Sequence, residues 1–231
     1  MGDEENLHKV EYLDTPDGLP DETNWIKRAG KAKVTYPNES TFEGIFDAER
    51  IKQGPGVYIW MAPGPDDDET PVEKARYEGN YVDGMRTGLG RMVYPNGDTY
   101  EGEFFENKMQ GEGSYTYKKT NDIYSGTWVN NKKQGEGRYE FGQDTSILNG
   151  VWENGQMVTG MWELKKQGTY KGDFERSRPL GQGRFSFANG LYQDGMFVKE
   201  KVPEEEEETV EEGEEPKPPR VEWKGKSIVS F

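Results

Sequence analysis

An internal repeat constrains the fold of this chain more than any other feature. In the copy from Tyr100 to Ile123, YEGEFFENKMQGEGSYTYKKTNDI, aromatic and glycine residues alternate with polar residues in two runs that a polar turn separates. Alternation with a period of two is typical of strands, and two such runs joined by an Asn-containing turn predict a β-hairpin. Because repeats at a fixed spacing of about 20–50 residues indicate stacked arrays, the repeat decides the fold.

Six copies of the pattern align with one another. They begin at Phe42, Tyr77, Tyr100, Tyr124, Leu148 and Tyr170. From the second copy onwards the starts are 23, 24, 24 and 22 residues apart. A Gly-x-Gly pair follows eleven residues after the start in four copies and one residue later in the first copy. These pairs are Gly88/Gly90, Gly111/Gly113, Gly135/Gly137, Gly181/Gly183 and, in the first copy, Gly54/Gly56.

The spacing places aromatic residues and glycines on the same face of each hairpin. The start aromatic, the glycine two residues on and the aromatic four residues on share one face of a strand. Glycine has no Cβ, so a neighbouring ring can lie across its backbone. We therefore predict structural glycines beneath a lattice of rings, with Glu101, Glu103 and Glu112 facing water on the other side. The predicted structural glycines are Gly79, Gly88, Gly90, Gly102, Gly111, Gly113, Gly126, Gly135, Gly137, Gly172, Gly181 and Gly183.

The rings themselves form the predicted partner-binding face. They are Tyr77, Tyr81, Tyr100, Phe104, Tyr124, Trp128, Trp152, Tyr170 and Phe174. A large apolar face on a sheet with no second layer usually marks a partner site, and a groove lined by rings can hold a peptide or a helix. The alternative is that these rings only pack against each other and against the glycines.

The pattern Y-x-G-x-[WFY], followed by G-x-G-x-x-x-Y, resembles the MORN repeat family over residues 30–199. The resemblance implies one β-hairpin per repeat, stacked into an elongated single-layer antiparallel sheet. We therefore expect an all-β fold of tandem hairpins with a flexible acidic tail.

The ends of the array and one insertion depart from the pattern. We predict a flexible arm over residues 1–18, then an array of about seven hairpins over residues 19–200. Its degenerate first hairpin would have one strand near Leu19–Ile26, and Leu191–Glu200 would be a closing half repeat. The copy that begins at Leu148 lacks one glycine, so we expect a bend or bulge there. Met61–Glu73 is predicted to be a protruding loop, either a tolerated insertion or a partner contact.

Beyond the array the composition changes twice. Residues 201–220 form an acidic Glu/Pro-rich linker, which repels itself and stays solvated. Residues 221–231 turn apolar again and are read as a docking peptide or as a frayed end.

Composition excludes several classes of function. The chain has a net charge of −15, no cysteine and one histidine, His8, which stands in the polar arm. We therefore expect no catalytic residues, no metal site, no cofactor and no enzymatic activity. Nucleic acid needs a basic footprint, which the chain lacks. No apolar run reaches the ~20 residues that span a bilayer, and with no secretory signal we expect an intracellular protein.

The order of features further resembles the MORN subunits of ciliary radial spoke heads. The repeats are followed by the degenerate copy around Val151–Gly160, then YKGDF…PLGQGRFSF, a Glu run and the segment Glu222-Trp223-Lys224. The resemblance implies a structural protein of the cilium or flagellum in the cytoplasm and cytoskeleton, located in the 9+2 axoneme and acting in motility. Its partners would be other spoke-head proteins in a large complex and, transiently, the central pair. Open alternatives are a peripheral phospholipid-binding module, for which the charge is unfavourable, and another doublet-associated scaffold.

Overall fold

The computed structural model describes residues 8–14, 29–64, 70–199 and 221–230, and every regular element in these ranges is a β-strand. The chain divides into two compact units, Met1–Asn131 and Lys132–Phe231. The strands of the first unit are β1 Lys9–Tyr12, β2 Gly30–Thr35, β3 Thr41–Phe46, β4 Lys52–Ala62, β5 Val72–Val82, β6 Met85–Val93, β7 Thr99–Phe105, β8 Lys108–Thr116 and β9 Ile123–Val129. Those of the second are β10 Lys132–Glu140, β11 Ile147–Glu153, β12 Gln156–Leu164, β13 Gly168–Glu175, β14 Arg178–Phe187, β15 Leu191–Lys199, β16 Val221–Gly225 and β17 Val229–Ser230.

Each unit is one layer of antiparallel strands in sequence order. In the first unit every strand from β1 to β9 pairs with the next. In the second unit the same holds from β10 to β15, and β16 and β17 both pair with β15. The predicted all-β class and the single-layer sheet of tandem hairpins are confirmed in each unit.

A row of directly opposed glycines crosses the strands of each unit. In the first unit the row is Gly44, Gly56, Gly79, Gly90, Gly102, Gly113 and Gly126. In the second it is Gly137, Gly150, Gly160, Gly172, Gly183, Gly195 and Gly225. A Cβ placed on Gly90 would lie 2.5 Å from Tyr77 Oη and 2.7 Å from Tyr77 Cε2, because the ring lies across the bare backbone. Most of these glycines therefore make room for rings within a single layer, whereas Gly150 and Gly160 make room for Met157.

The first glycine of each Gly-x-Gly pair differs from the glycines of the row in its backbone conformation. Gly88, Gly111, Gly135 and Gly181 have φ values of 81°, 66°, 70° and 89°. The strand register shifts beside three of them, in the β5–β6, β7–β8 and β13–β14 hairpins. A left-handed glycine is the usual residue at such a bulge. The shift between Val151 and Trp152 in the irregular copy is thus shared with regular copies.

Hairpin turns are tied to the start of the second strand in the preceding hairpin. The amide of Arg86 donates to Asn107 Oδ1, and the Asn107 amide donates back to the Arg86 carbonyl. Met109 and Asn131 make the same pair of bonds. In the second unit Ser177 Oγ accepts from the Met157 amide. These bonds fix the spacing of consecutive hairpins.

Part of the predicted N-terminal arm forms a strand. Lys9–Tyr12, inside the predicted arm of residues 1–18, form β1 on the edge of β2. Val10 and Tyr12 alternate with charged residues, which suits a strand that is half-buried on one face. The strand predicted near Leu19–Ile26 lies outside the described residues.

The predicted loop Met61–Glu73 is shorter than expected. Met61 pairs with Glu73 and Ala62 with Val72, so β4 and β5 continue two residues into it from each side. Pairing ends at Pro63 and Pro71, which have no amide to donate.

The C-terminal segment lies on the array of its own chain. Val221–Gly225 add a strand to β15, and Gly225 extends the glycine row. Trp223 packs on Tyr170 and Phe197 at ring-centre distances of 5.9 and 5.0 Å. The segment predicted as a docking peptide thus covers the edge of β15, while residues 200–220, which hold the acidic linker, lie outside the described part.

Candidate partner-binding face

The nine rings predicted to bind a partner form the core of the sheet. Their exposed fractions lie between 0% and 6%. These inner rings are Tyr77, Tyr81, Tyr100, Phe104, Tyr124, Trp128, Trp152, Tyr170 and Phe174. Most neighbouring pairs meet edge to face, as Tyr100 does with Phe104 at 5.1 Å and with Trp128 at 5.5 Å. Their packing on each other and on glycine is therefore established, whereas their contact with a partner stays a prediction.

A second set of rings on the same face is more open. These outer rings are half-buried: Tyr58, Trp60, Tyr94, Tyr115 and Tyr117 in the first unit, and Tyr139, Phe141, Trp162, Phe185 and Phe187 in the second. They contact inner rings, for example Tyr115 with Trp128 at 6.0 Å and Tyr139 with Trp152 at 6.1 Å. We call the side of each sheet that carries inner and outer rings the ring face.

The sequence does carry a signal for the outer rings. Most of them stand two or four residues after the second glycine of a Gly-x-Gly pair, as Tyr115 and Tyr117 follow Gly113. Trp162 stands two residues after the single Gly160 of the irregular copy. The predicted site omitted them because alternation alone places inner and outer positions on one face without ranking their exposure. The outer rings are the aromatic surface that a partner can reach.

Cations also lie on the ring face. Lys52 Nζ is 4.8 Å from the centre of the Tyr58 ring, and the Arg86 guanidinium carbon is 5.6 Å from that of Tyr77. In the second unit Lys133 Nζ is 4.6 Å from the centre of the Tyr139 ring. Such cation–π contacts hold positive charge against an otherwise apolar surface. Burial lowers the pKa of Lys52.

The inner tyrosines keep neutral hydroxyl groups. Burial raises the pKa of Tyr77 to about 12, although the nearby Arg86 charge opposes the rise. Burial likewise raises the pKa of Tyr170 to about 12. The Tyr77 hydroxyl donates to the Asn80 carbonyl at 3.2 Å, where the register shift leaves that carbonyl available.

A carboxylate is buried at the turn before β7. Asp98 is 8% exposed and accepts hydrogen bonds from Tyr115 Oη at 2.9 Å, the Lys118 amide at 2.8 Å and Asn96 Nδ2 at 2.8 Å. Burial alone would raise its pKa, but these three donors outweigh burial and lower it. Ser146 is buried at the corresponding turn of the second unit. Asp98 therefore anchors the outer ring of Tyr115.

The opposite face carries exposed ion pairs instead of rings. Arg91 Nε lies 2.7 Å from Glu101 Oε1, and Arg184 binds both carboxylate oxygens of Asp194 at 2.6 and 2.9 Å. Exposed pairs of this kind add little stability. The two faces thus differ in chemistry: rings with embedded cations on one, and solvated charges on the other.

The described residues hold neither a cluster suited to a metal ion nor a helix suited to a membrane. No group of three His, Cys, Asp or Glu side chains in residues 8–14, 29–64, 70–199 and 221–230 could hold a metal ion. In the same ranges no helix has the length and apolar character needed to cross a membrane.

Comparison with known proteins identifies MORN repeats in this chain. Four are detected, at residues 77–99, 100–121, 124–145 and 170–192. The copies that begin at Phe42 and Leu148 lie outside these matches. MORN repeats are structural and binding modules.

One solved structure is similar at low identity. It is described as the TCP domain of SAS-4 (dCPAP) of Drosophila melanogaster in complex with a proline-rich motif of Ana2 (dSTIL). The similarity has a TM-score of 0.35 and 14% identity and covers 79% of this chain and 86% of that chain. At this level it carries no argument about the present chain.

Proposed function

We propose that this chain, which carries four MORN repeats, is a scaffold that binds neighbouring proteins through its ring face and has no catalytic activity. The observation that carries the proposal is the row of half-buried outer rings on a single-layer sheet. Among the described residues, the strands pack edge to edge, each chiefly against its neighbours in sequence. An aromatic surface of this kind is suited to a protein partner because rings supply a large contact area at low entropic cost.

For the setting, we propose the radial spoke head of the 9+2 axoneme. The support is the order of sequence features, which resembles radial spoke head protein 1 of animals and radial spoke protein 10 of algae. In this setting the ring face binds other spoke-head subunits in a large complex. Contact with the central pair would be transient, and the chain would help to transmit mechanical signals to the dynein arms.

The localisation of a tagged copy in a ciliated cell tests this proposal. The proposal predicts that the tagged chain stays on the axoneme after detergent removes the membrane and is lost in cells that lack spoke heads. Retention without spoke heads would instead favour another doublet-associated scaffold. Release with the detergent would contradict both scaffold settings.

The second candidate is a peripheral phospholipid-binding or membrane-tethering module. It is favoured by cations among aromatic rings on the ring face, where Lys52, Arg86 and Lys133 lie against ring surfaces. The net charge of −15 opposes it, because an anionic leaflet repels an acidic chain. Sedimentation with phosphatidylserine vesicles tests this candidate, which requires binding at physiological salt.

A further inference from the structure

The second unit has a cavity on its ring face. Its volume is about 420 Å³, within the range of small-ligand and side-chain pockets. Its apolar lining consists of Tyr139, Phe141, Leu148, Trp152, Trp162 and Pro179. The cavity lies at the irregular repeat, where Leu148 takes the place of the start aromatic. Met157, which is fully buried, lies over Gly150 and Gly160 of this copy in place of a ring.

One polar atom in this lining has no partner. Trp162 Nε1 is buried and forms no hydrogen bond with the described residues. By contrast, Trp128 Nε1 donates to the Gly113 carbonyl at 3.2 Å, and Trp152 Nε1 donates to the Gly137 carbonyl at 3.1 Å. A buried donor without an acceptor is unfavourable. Because Nε1 has almost no accessible surface, an acceptor in the cavity would reach it only after the Trp162 ring turns.

Positive charge surrounds the cavity although the chain is acidic. Lys133 Nζ lies 4.6 Å from the centre of the Tyr139 ring and 4.9 Å from that of Trp152. Arg176 and Arg178 are exposed and contribute to the lining. Neither arginine forms an ion pair with a carboxylate in the part of the chain that the structure describes.

The turn that presents Arg176 holds this residue in a left-handed conformation. Its φ of 51° lies in the left-handed region, which bulky residues seldom adopt. The corresponding turns β9–β10 and β11–β12 carry Asn130 and Asn154, the type of residue that turns of this shape favour. The turns β5–β6 and β7–β8 carry Asp83 and Glu106 with φ values of 49° and 47°, so this position accepts several residue types and does not itself assign a role to Arg176.

We propose that this cavity binds an extended acidic peptide segment of a partner protein, with an apolar side chain of the peptide against the aromatic lining. A backbone carbonyl of the peptide would accept a hydrogen bond from Trp162 Nε1 once the ring turns towards it, and flanking carboxylates would pair with Arg176 and Lys133. The proposal rests on the proposed function, since it names the chemistry of a partner for the ring face.

Two variants isolate the two kinds of contact without disturbing the fold. Arg176→Glu reverses one charge, and the fold tolerates glutamate there because Glu106 holds the same turn position with a φ of 47°. Trp162→Phe removes the donor and keeps a ring, as Phe185 does at the corresponding position of the next hairpin. Lys171→Glu is the matched control, because Lys171 is exposed on the opposite face.

Fluorescence anisotropy with the full chain measures the binding. The probe is a fluorescein-labelled peptide, GEEFPEEG, compared with GKKFPKKG and GEESSEEG. We expect the first to bind at least about tenfold more tightly than the other two, and Arg176→Glu to weaken it about tenfold. Trp162→Phe should weaken it about threefold to tenfold, and Lys171→Glu less than about twofold. Equal binding of acidic and basic peptides, or no effect of Arg176→Glu and Trp162→Phe, would overturn the proposal.

The acidic run of the chain itself is the competing occupant. If GEEFPEEG binds only after Glu204–Glu208 are replaced by glutamine, the cavity serves that run and the proposal of a separate partner is overturned. The peptide assay does not depend on cilia. If the chain binds the acidic peptide but does not localise to the axoneme, this site stands and the proposed setting is refuted. A chain that reaches the axoneme without discriminating the peptides refutes this site alone.

Discussion

Substitution of one glycine in the row should show how far the fold depends on rings lying over bare backbone. In Gly90→Ala the new Cβ would lie 2.5–2.7 Å from three atoms of the Tyr77 ring, which is 0% exposed and has no free space to enter. Overpacking of this kind costs about 1–3 kcal/mol. Displacing the ring also breaks the bond from the Tyr77 hydroxyl to the Asn80 carbonyl, which adds about 1 kcal/mol. We expect the free energy of unfolding of the first unit to fall by about 2–4 kcal/mol.

A second glycine in the same unit provides the control. Gly84 has a φ of +78°, and a Cβ there would meet only Ile51 Cγ2 at 3.6 Å, an ordinary contact. Gly84→Ala should therefore lower the free energy of unfolding only by the cost of placing alanine in a left-handed conformation, about 1 kcal/mol. In a Tyr77→Leu background, where the ring is gone, Gly90→Ala should lose most of its effect.

Urea unfolding followed by circular dichroism gives the total change in stability, and hydrogen exchange locates it. Stacked hairpins interact mainly with their neighbours, so exchange should rise in β5, β6 and β7 and stay unchanged in β13 and β14. If Gly90→Ala and Gly84→Ala cost the same, or if Tyr77→Leu and Gly90→Ala are additive, the rings do not depend on the glycine row and the reasoning is refuted.

Three further predictions follow from the buried groups. The pKa values of Tyr77 and Tyr170, raised to about 12, exceed the value of 10.0 expected in the unfolded chain, so the contribution of these two groups to stability is complete below pH 10 and is lost as the pH rises from 10 to 12. A free energy of unfolding that stays constant across this window in an alkaline titration would contradict this. Asp98→Ala removes an acceptor of three hydrogen bonds and should lower the free energy of unfolding in urea by about 2–4 kcal/mol. Asp98→Ser should lower it less, because Ser146 holds the corresponding position in the second unit. Equal losses of stability in the two variants would argue against a role for these bonds. Trp223→Ala should release β16 and speed amide exchange in β15, and unchanged exchange would show that the C-terminal strand adds no protection.

The hairpins and the glycine row were predictable because the same spacing of aromatic residues and glycines recurs in each repeat. Tyr77, Gly79 and Gly90 recur as Tyr100, Gly102 and Gly113, and cross-strand pairing follows from this spacing. Each copy thus supports the next, and a single degenerate copy does not change the fold.

Exposure on the ring face was not predictable in the same way. Tyr100 and Tyr115 share one face and directly oppose each other, yet only the first is fully buried. Phe104 and Trp128 cover Tyr100 edge to face, and the register shift after Gly102 affects the position of Phe104. The first glycine of the Gly-x-Gly pair marks the shift in the sequence, but the exposure of each ring depends on the packing that results.

The strands added at the two ends depend on pairing that the repeat does not encode. The β1 segment has only a short alternation, too weak to separate it from the polar arm. The β16 segment did carry a signal, because Trp223-Lys224-Gly225 has the aromatic-x-Gly spacing of a repeat start. The segment lies far from the repeats in the sequence, so the sequence alone did not show that it pairs with β15.

Photo-cross-linking in permeabilised cilia tests most directly whether the ring face binds a protein. Benzoylphenylalanine replaces Tyr117 on the ring face or, in a matched chain, the adjacent Thr116 on the opposite face; both side chains are half-buried. The ring-face account predicts a covalent adduct with an axonemal protein from position 117 and none from position 116. An adduct from position 116 alone, or from neither position while the chain remains on the axoneme, would contradict it.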